Sequence, residues 1–218
     1  MTRPAATTRS EEIADLCIHV LGLSAGAVGV AVLLAVAIPQ ASAGRVVVLA
    51  LYAAGLLAML TFSALNDLVR NPDWKGIIRR LDHSAIFVMI AGTYTPFALF
   101  KIGGVGGLAL LVFVWVLALI GVVLKLAGPG RGKRLSIVLY LVMGWSVVVA
   151  IGPLLASVAL PVFVLLVAGG VIYTVGVPFH LWSRLKFNNA IWHVCVLVAA
   201  AFHYVAVLGA IALPPGLG

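Results

Sequence analysis

The chain has 218 residues, 64% of them hydrophobic and 9% charged, with a formal net charge of +8. Soluble globular domains rarely exceed about half apolar, so a water-soluble fold is excluded. The basic excess is what membrane topology and contact with anionic lipid require, so no nucleic-acid partner is expected. Crossing the hydrocarbon core takes about 20 apolar residues in a helix. Seven runs qualify: residues 16–38, 46–64, 84–100, 106–126, 135–151, 154–179 and 190–213. The predicted fold class is therefore an all-α membrane protein, a seven-transmembrane-helix bundle. Residues 1–12 form an N-terminal segment, residues 13–218 form the transmembrane domain, and nothing is left over for a second domain.

The first run follows Arg3 and Arg9 and ends in Ala41-Ser42-Ala43, the outline of a signal peptide. It exceeds the 7 to 15 residues usual for such a segment, and Glu11, Glu12 and Asp15 interrupt the positive start, so it is predicted to stay as the first helix. Gly22, Gly26 and Gly29 give that helix small residues at spacings of four and three, as close helix approach requires. Cys17 and Cys195 are expected as buried small apolar residues and not as a disulfide.

The second run ends at Ser63 with Asp67 just beyond, and the third starts behind Asp82 and His83. Within the third, Gly92-Thr93-Tyr94-Thr95-Pro96 predicts a kink, because Pro96 lacks an amide donor and crowds a carbonyl one turn back. Gly103-Gly104-Val105-Gly106-Gly107 reads as a tight turn and Gly128-Pro129-Gly130-Arg131-Gly132-Lys133 as a basic loop without the spacing of a phosphate-binding loop. The fifth and sixth runs are separated at residues 152–153, the sixth ends at His180, and the seventh carries Asn189, His193 and His203. His203 lies about 15 Å deeper than His193 and about 80° round the helix from it, so it is expected to be a buried histidine satisfied by a neighbouring helix.

Twelve of the 14 Lys and Arg fall in segments that share a side if the N-terminus is cytoplasmic, and only Arg45 and Lys101 fall on the other. The positive-inside rule then places the N-terminus in the cytoplasm and the C-terminus outside. Under that topology Asp67, Asp82, Asn189 and His193 meet at one membrane face, joined by Asp15 and His19 from the first helix. Asn189 and His193, like Asp15 and His19, are four apart and share a helix face. Ionisable groups at such depth are costly, so a cluster is by default a functional site. The residues alone leave two readings open. In one, carboxylate, amide oxygen and imidazole surround a divalent metal, with a further carboxylate directed at water. In the other, they are interhelical hydrogen bonds and caps without chemistry.

The stretch Leu81-Asp82-His83-Ser84-Ala85-Ile86, continuing to Ala91-Gly92-Thr93-Tyr94-Thr95-Pro96-Phe97, resembles the signature of the hemolysin III group within the progestin and adipoQ receptor superfamily. Glu11-Glu12-Ile13-Ala14 with His19, Ser63-Ala64-Leu65, Gly144-Trp145, the segment at residues 169–177 and Ala190-Ile191-Trp192-His193 extend the likeness from about residue 11 to 207. The resemblance implies seven helices, a cytoplasmic N-terminus, and zinc held by three histidines, with an aspartate contacting the zinc-bound water. It also implies links to lipid-amide hydrolysis, to receptor signalling in animals and to membrane-lipid homeostasis in bacteria. By position, Asp82 matches the water-contacting aspartate and His193 the last histidine of the family's His-x-x-x-His.

The departures are specific. The family's Ser-x-x-x-His reads Ser63-Ala64-Leu65-Asn66-Asp67 here, and its His-x-x-x-His reads Asn189-Ala190-Ile191-Trp192-His193. Asp15 stands where the family usually has Asn, and His180 where it usually has Tyr. With two of three expected imidazoles replaced, zinc is expected to be weakly bound or absent, since amide oxygen suits harder cations. The expected metal set is Asp67, Asn189 and His193, the expected catalytic residue Asp82, and the expected auxiliary residues Ser63, Asp15, His19 and His180. The expected role is metal-dependent hydrolysis of a lipid amide or ester in the plasma (inner) membrane, with membrane lipids as partners. The alternative is a non-catalytic sensor, receptor-like or channel-type membrane protein.

Overall fold

The computed structural model describes residues 8–128 and 133–213, which leaves out Arg3, most of the basic loop at residues 129–132, and the C-terminal Gly218. Among the described residues the chain is helical without a strand, and seven segments are long and apolar enough to cross a membrane. They comprise α1 (Arg9–Ala37), α2 (Ala43–Leu68), α3 (Pro72–Phe97), α4 (Gly104–Leu126), α5 (Lys133–Trp145), α6 (Ile151–Ser157), α7 (Leu160–Leu181) and α8 (Asn188–Val207). A 3₁₀ turn, Ser146–Ala150, joins α5 and α6 into the fifth span. Short π turns, Ala98–Ile102 and Leu208–Ala212, extend α3 and α8.

At the starts of α2 and α3 polar caps lie outside the apolar runs, so these two helices begin before their runs. Ser42 accepts from Arg45 N at the start of α2. Asn71 accepts from Asp73 N at 2.9 Å, ahead of Pro72, whose missing amide costs nothing at a first helical position. The third helix therefore begins well before Asp82, which sits ten residues beyond Pro72 inside α3 and not at its start. The expected separation of the fifth and sixth spans at residues 152–153 is also corrected. The chain continues to Ser157 and breaks at Val158 and Ala159, because Pro153 occupies the first turn of α6, where proline is tolerated.

Around Pro96, Thr93 and Thr95 donate their hydroxyls to Met89 O and Ala91 O at 2.9 and 2.7 Å. The helix continues through the proline and then widens into the π turn, closed by Gly103 N donating to Ala98 O at 3.0 Å. Gly103 and Gly104 follow at φ 62° and 56°, a left-handed pair that glycine alone adopts without strain. The turn is shorter than the expected 103–107, because α4 already begins at Gly104.

The glycines of α1 are contact points. A Cβ on Gly26 would stand 2.5 Å from Leu60 Cδ1, and Cβ atoms on Gly22 and Gly29 would stand 3.3 Å from Leu197 and Tyr204. Tyr204 donates its hydroxyl to Gly29 O at 2.8 Å. The first helix is thereby packed on both α2 and α8. On α7, Gly169 and Gly176 face His203 and Trp192 in the same manner. Large apolar side chains point outward over the bundle, Val149 at 92% exposure being the extreme. Water would not tolerate so much contiguous apolar surface, whereas lipid matches it. Both cysteines are free, but Cys17 is exposed and Cys195 half-buried, so the expectation of buried cysteines fails. Cys17 lies about 140° round α1 from Gly22, away from that close contact.

Candidate metal centre

Alternation of helix direction brings the first turns of α1 and α8, the last turns of α2 and the middle of α3 to one end of the bundle. Each of three helices offers two polar residues four apart: Asp15 and His19 on α1, Ser63 and Asp67 on α2, Asn189 and His193 on α8. At that spacing both side chains of a pair lie on one face, and the glycine contacts of α1 turn the three faces toward each other.

The side chains then meet. His19 Nε2 lies 2.9 Å from Asp67 Oδ2, and the His19 and His193 rings stand 4.6 Å apart. Asn189 Nδ2 donates to Asp15 Oδ2 at 3.1 Å and to Asp67 Oδ2 at 2.9 Å. Ser63 Oγ and His193 Nε2 share a hydrogen bond of 3.3 Å. His193 Nδ1 is 3.7 Å from Asp15 Oδ1 and 3.6 Å from Asp67 Oδ2, too far for hydrogen bonds. Asp15 Oδ1 and His193 Nδ1 are both buried without a hydrogen-bond partner.

These facts bear on whether a metal fits. Among the described residues, donor atoms of His19, Asp67 and His193 all lie within 4.8 Å of one another. Two imidazoles and a carboxylate form a recognised catalytic zinc set, and a buried donor left unpaired beside a carboxylate is what a ligand without its ion looks like. The residues present therefore fit a divalent cation. His19 is the donor that sequence reasoning had left as auxiliary. Its signal was the Asp15/His19 spacing, which repeats that of Asn189/His193.

Asp82 stands beside this set and not in it. Asn66 Nδ2 donates to Asp82 Oδ2 at 3.1 Å, while Lys75 Nζ donates to Asn66 O and holds the end of α2. Asn66 went unnoticed in the sequence, since nothing in its spacing marks it. A cavity of about 20 Å³ is lined by His19, Ser63 and His193 together with Gly22, Met59 and Leu60. That is room for one water with polar partners on its wall.

His180 packs its ring against Trp192 at 5.0 Å and is outside the donor set. His203 Nε2 donates to Leu166 O at 3.1 Å and its ring meets Tyr173, so it is satisfied by a neighbouring helix as expected, but it is half-buried and not buried.

Residues 7–204 match the family described as haemolysin-III related. The chain is 38% identical to Hemolysin-3 of Bacillus cereus over 91% of its length and 90% of the relative's. It is 39% identical to the Hemolysin-3 homolog of Bacillus subtilis (strain 168), over 92% and 94%. It is also similar to the human Monocyte to macrophage differentiation factor, at 28% identity over 72% of this chain and 67% of the relative's. No solved structure is significantly similar to the chain.

Proposed function

The chain belongs to the haemolysin-III-related family, and on that premise we propose that this multi-pass membrane protein, placed in the plasma (inner) membrane, is a metal-dependent hydrolase of a lipid amide or ester serving membrane-lipid homeostasis. The observation that supports the reading most is the donor set of His19, Asp67 and His193 within 4.8 Å. Zinc is the cation proposed, held by those three residues, with Asn189 bonded to the carboxylates through its amide nitrogen. The hold is proposed to be weaker than that of three imidazoles.

When bound, a divalent cation supplies Lewis acidity, which polarises a carbonyl and makes water a stronger acid. The chain's own residues do the rest. Asn189 donates to Asp15 and Asp67 and so keeps two carboxylates at one centre against their repulsion. Ser63 fixes the His193 ring through Nε2. Asp82, oriented by Asn66, accepts a proton from the attacking water and returns it to the leaving nitrogen or oxygen as the carbonyl bond breaks. The lipid-facing bundle presents the substrate from the bilayer, and the N-terminus and the cluster face the cytoplasm on the charge asymmetry.

A second reading is a non-catalytic sensor, receptor-like or channel-type protein. The bonds already closed among His19, Asp67, Asn189 and Asp15 support it. The test is zinc titration of the purified protein in detergent, followed by hydrolysis of ceramides and phospholipids before chelation, after it and on zinc return. Saturable zinc binding with hydrolysis that tracks occupancy is the expected result. Absence of saturable binding removes the hydrolase and leaves the second reading.

A further inference from the structure

Outside the metal set, one carboxylate joins the first turns of two helices that supply the cluster. Glu11 Oε2 accepts from Thr8 N at 2.8 Å and from the Thr8 hydroxyl at 2.7 Å, at the start of α1. Its other oxygen, Oε1, accepts from Phe187 N at 2.9 Å, at the start of α8. Phe187 has φ 60° and ψ 19°, and among the described residues it is the only non-glycine residue with positive φ. A bulky side chain in the left-handed region is sterically disfavoured and persists only where its surroundings hold it.

The strained residue occupies a consequential position. Phe187 directly precedes α8, and its carbonyl accepts the first helical bond there, from Ile191 N at 2.9 Å. The direction in which the chain leaves Phe187 sets the rotation of α8, and with it the placement of Asn189 and His193. Glu11 lies one turn before Asp15 and two before His19 on the same face of α1. We propose that Glu11 is a positioning residue: by accepting from both helix starts it holds Phe187 left-handed and fixes the setting of α8 that brings Asn189 and His193 onto Asp15, His19 and Asp67. The zinc readout of its test rests on the metal-centre reading, whereas the proteolytic readout does not.

Glu11→Gln is the informative change. Thr8 N and Phe187 N bond different carboxylate oxygens, and glutamine keeps an oxygen at one of those places and puts a donating amide nitrogen at the other, so one of the two loses its acceptor. Phe187→Gly is the rescuing change, because glycine takes φ near 60° without steric cost. In full-length protein in detergent, Glu11→Gln should weaken zinc binding about tenfold, the scale of one charge-assisted hydrogen bond. It should also speed tryptic cleavage after the exposed Arg184 and Lys186, in the segment that Glu11 tethers. Phe187→Gly alone should bind zinc as the wild type does, and added to Glu11→Gln it should restore most of the lost affinity. Equal zinc loss with and without Phe187→Gly would overturn the proposal, since loss of a nearby negative charge would then explain everything. If the wild type binds no zinc, the metal-centre reading fails separately. Cleavage then decides: faster proteolysis in Glu11→Gln upholds the tether, and unchanged proteolysis overturns it.

Discussion

His19→Ala separates a metal ligand from a hydrogen-bonding partner by magnitude. His19 is 8% exposed, its Nε2 lies 2.9 Å from Asp67 Oδ2, and its ring stands 4.6 Å from that of His193. As a partner only, its loss costs about 1 kcal/mol, at the low end for a buried group losing a bond, because Asp67 keeps its bond from Asn189. As a ligand it is worth more. Removal of groups that merely orient metal ligands weakens binding roughly 10- to 100-fold, so losing a direct donor should cost at least about 100-fold, or roughly 2.7 kcal/mol. Competition of the purified protein against a chromogenic zinc chelator measures the affinity, and thermal unfolding in detergent measures stability. His203→Ala is the control: its bond to Leu166 O lies between α7 and α8, so that variant should lose stability and keep zinc affinity. If His19→Ala binds zinc as the wild type does while Asn189→Ala does not, the donor set is Asp67, Asn189 and His193, and the reasoning from geometry is wrong.

Asp82→Asn should lower any lipid hydrolysis about 10²- to 10⁴-fold, the range for a general base, with an unfolding midpoint near that of the wild type. Its oxygen can still accept from Asn66, and unchanged turnover in a lipid-release assay would remove Asp82 from the chemistry. Cysteines introduced at Lys75 and Lys186 should react with impermeant reagents only from the cytoplasmic side and one at Lys101 only from the opposite side. An external Lys75 would invert the proposed orientation. Gly121→Ala should destabilise the bundle by roughly 1–3 kcal/mol, because its Cβ would overlap the fully buried Phe87 ring. Gly26→Ala should cost less, since only the end of the half-buried Leu60 must move, and equal costs in detergent unfolding would refute this account of the helix contacts.

The number of spans was legible because crossing a bilayer is a property of run length, and seven apolar runs became seven helical segments. The family was legible in the same way, since the match over residues 7–204 agrees with the likeness carried by residues 81–97 and their companions. Helix ends were not. The third helix begins at Pro72, twelve residues before its apolar run at Ser84, because Asn71 and Pro72 start a helix whatever its hydropathy. Pro153 signals a break by composition, yet falls in a first turn where it breaks nothing.

The candidate site divides along a similar line. The sequence by itself determined which polar residues pair four apart on a helix, and so that Asp15 with His19 and Asn189 with His193 each share a face. The tertiary structure alone decided how those faces turn. Gly22, Gly26 and Gly29 let α1 approach Leu197, Leu60 and Tyr204, which swings His19 onto Asp67. The bond from Phe187 N to Glu11 ties the start of α8 to that of α1, where Asn189 donates to both carboxylates. Helix periodicity is local and can be counted along a chain, whereas the rotation of one helix against another depends on side chains far apart in it, such as His19 with Asp67 and Glu11 with Phe187.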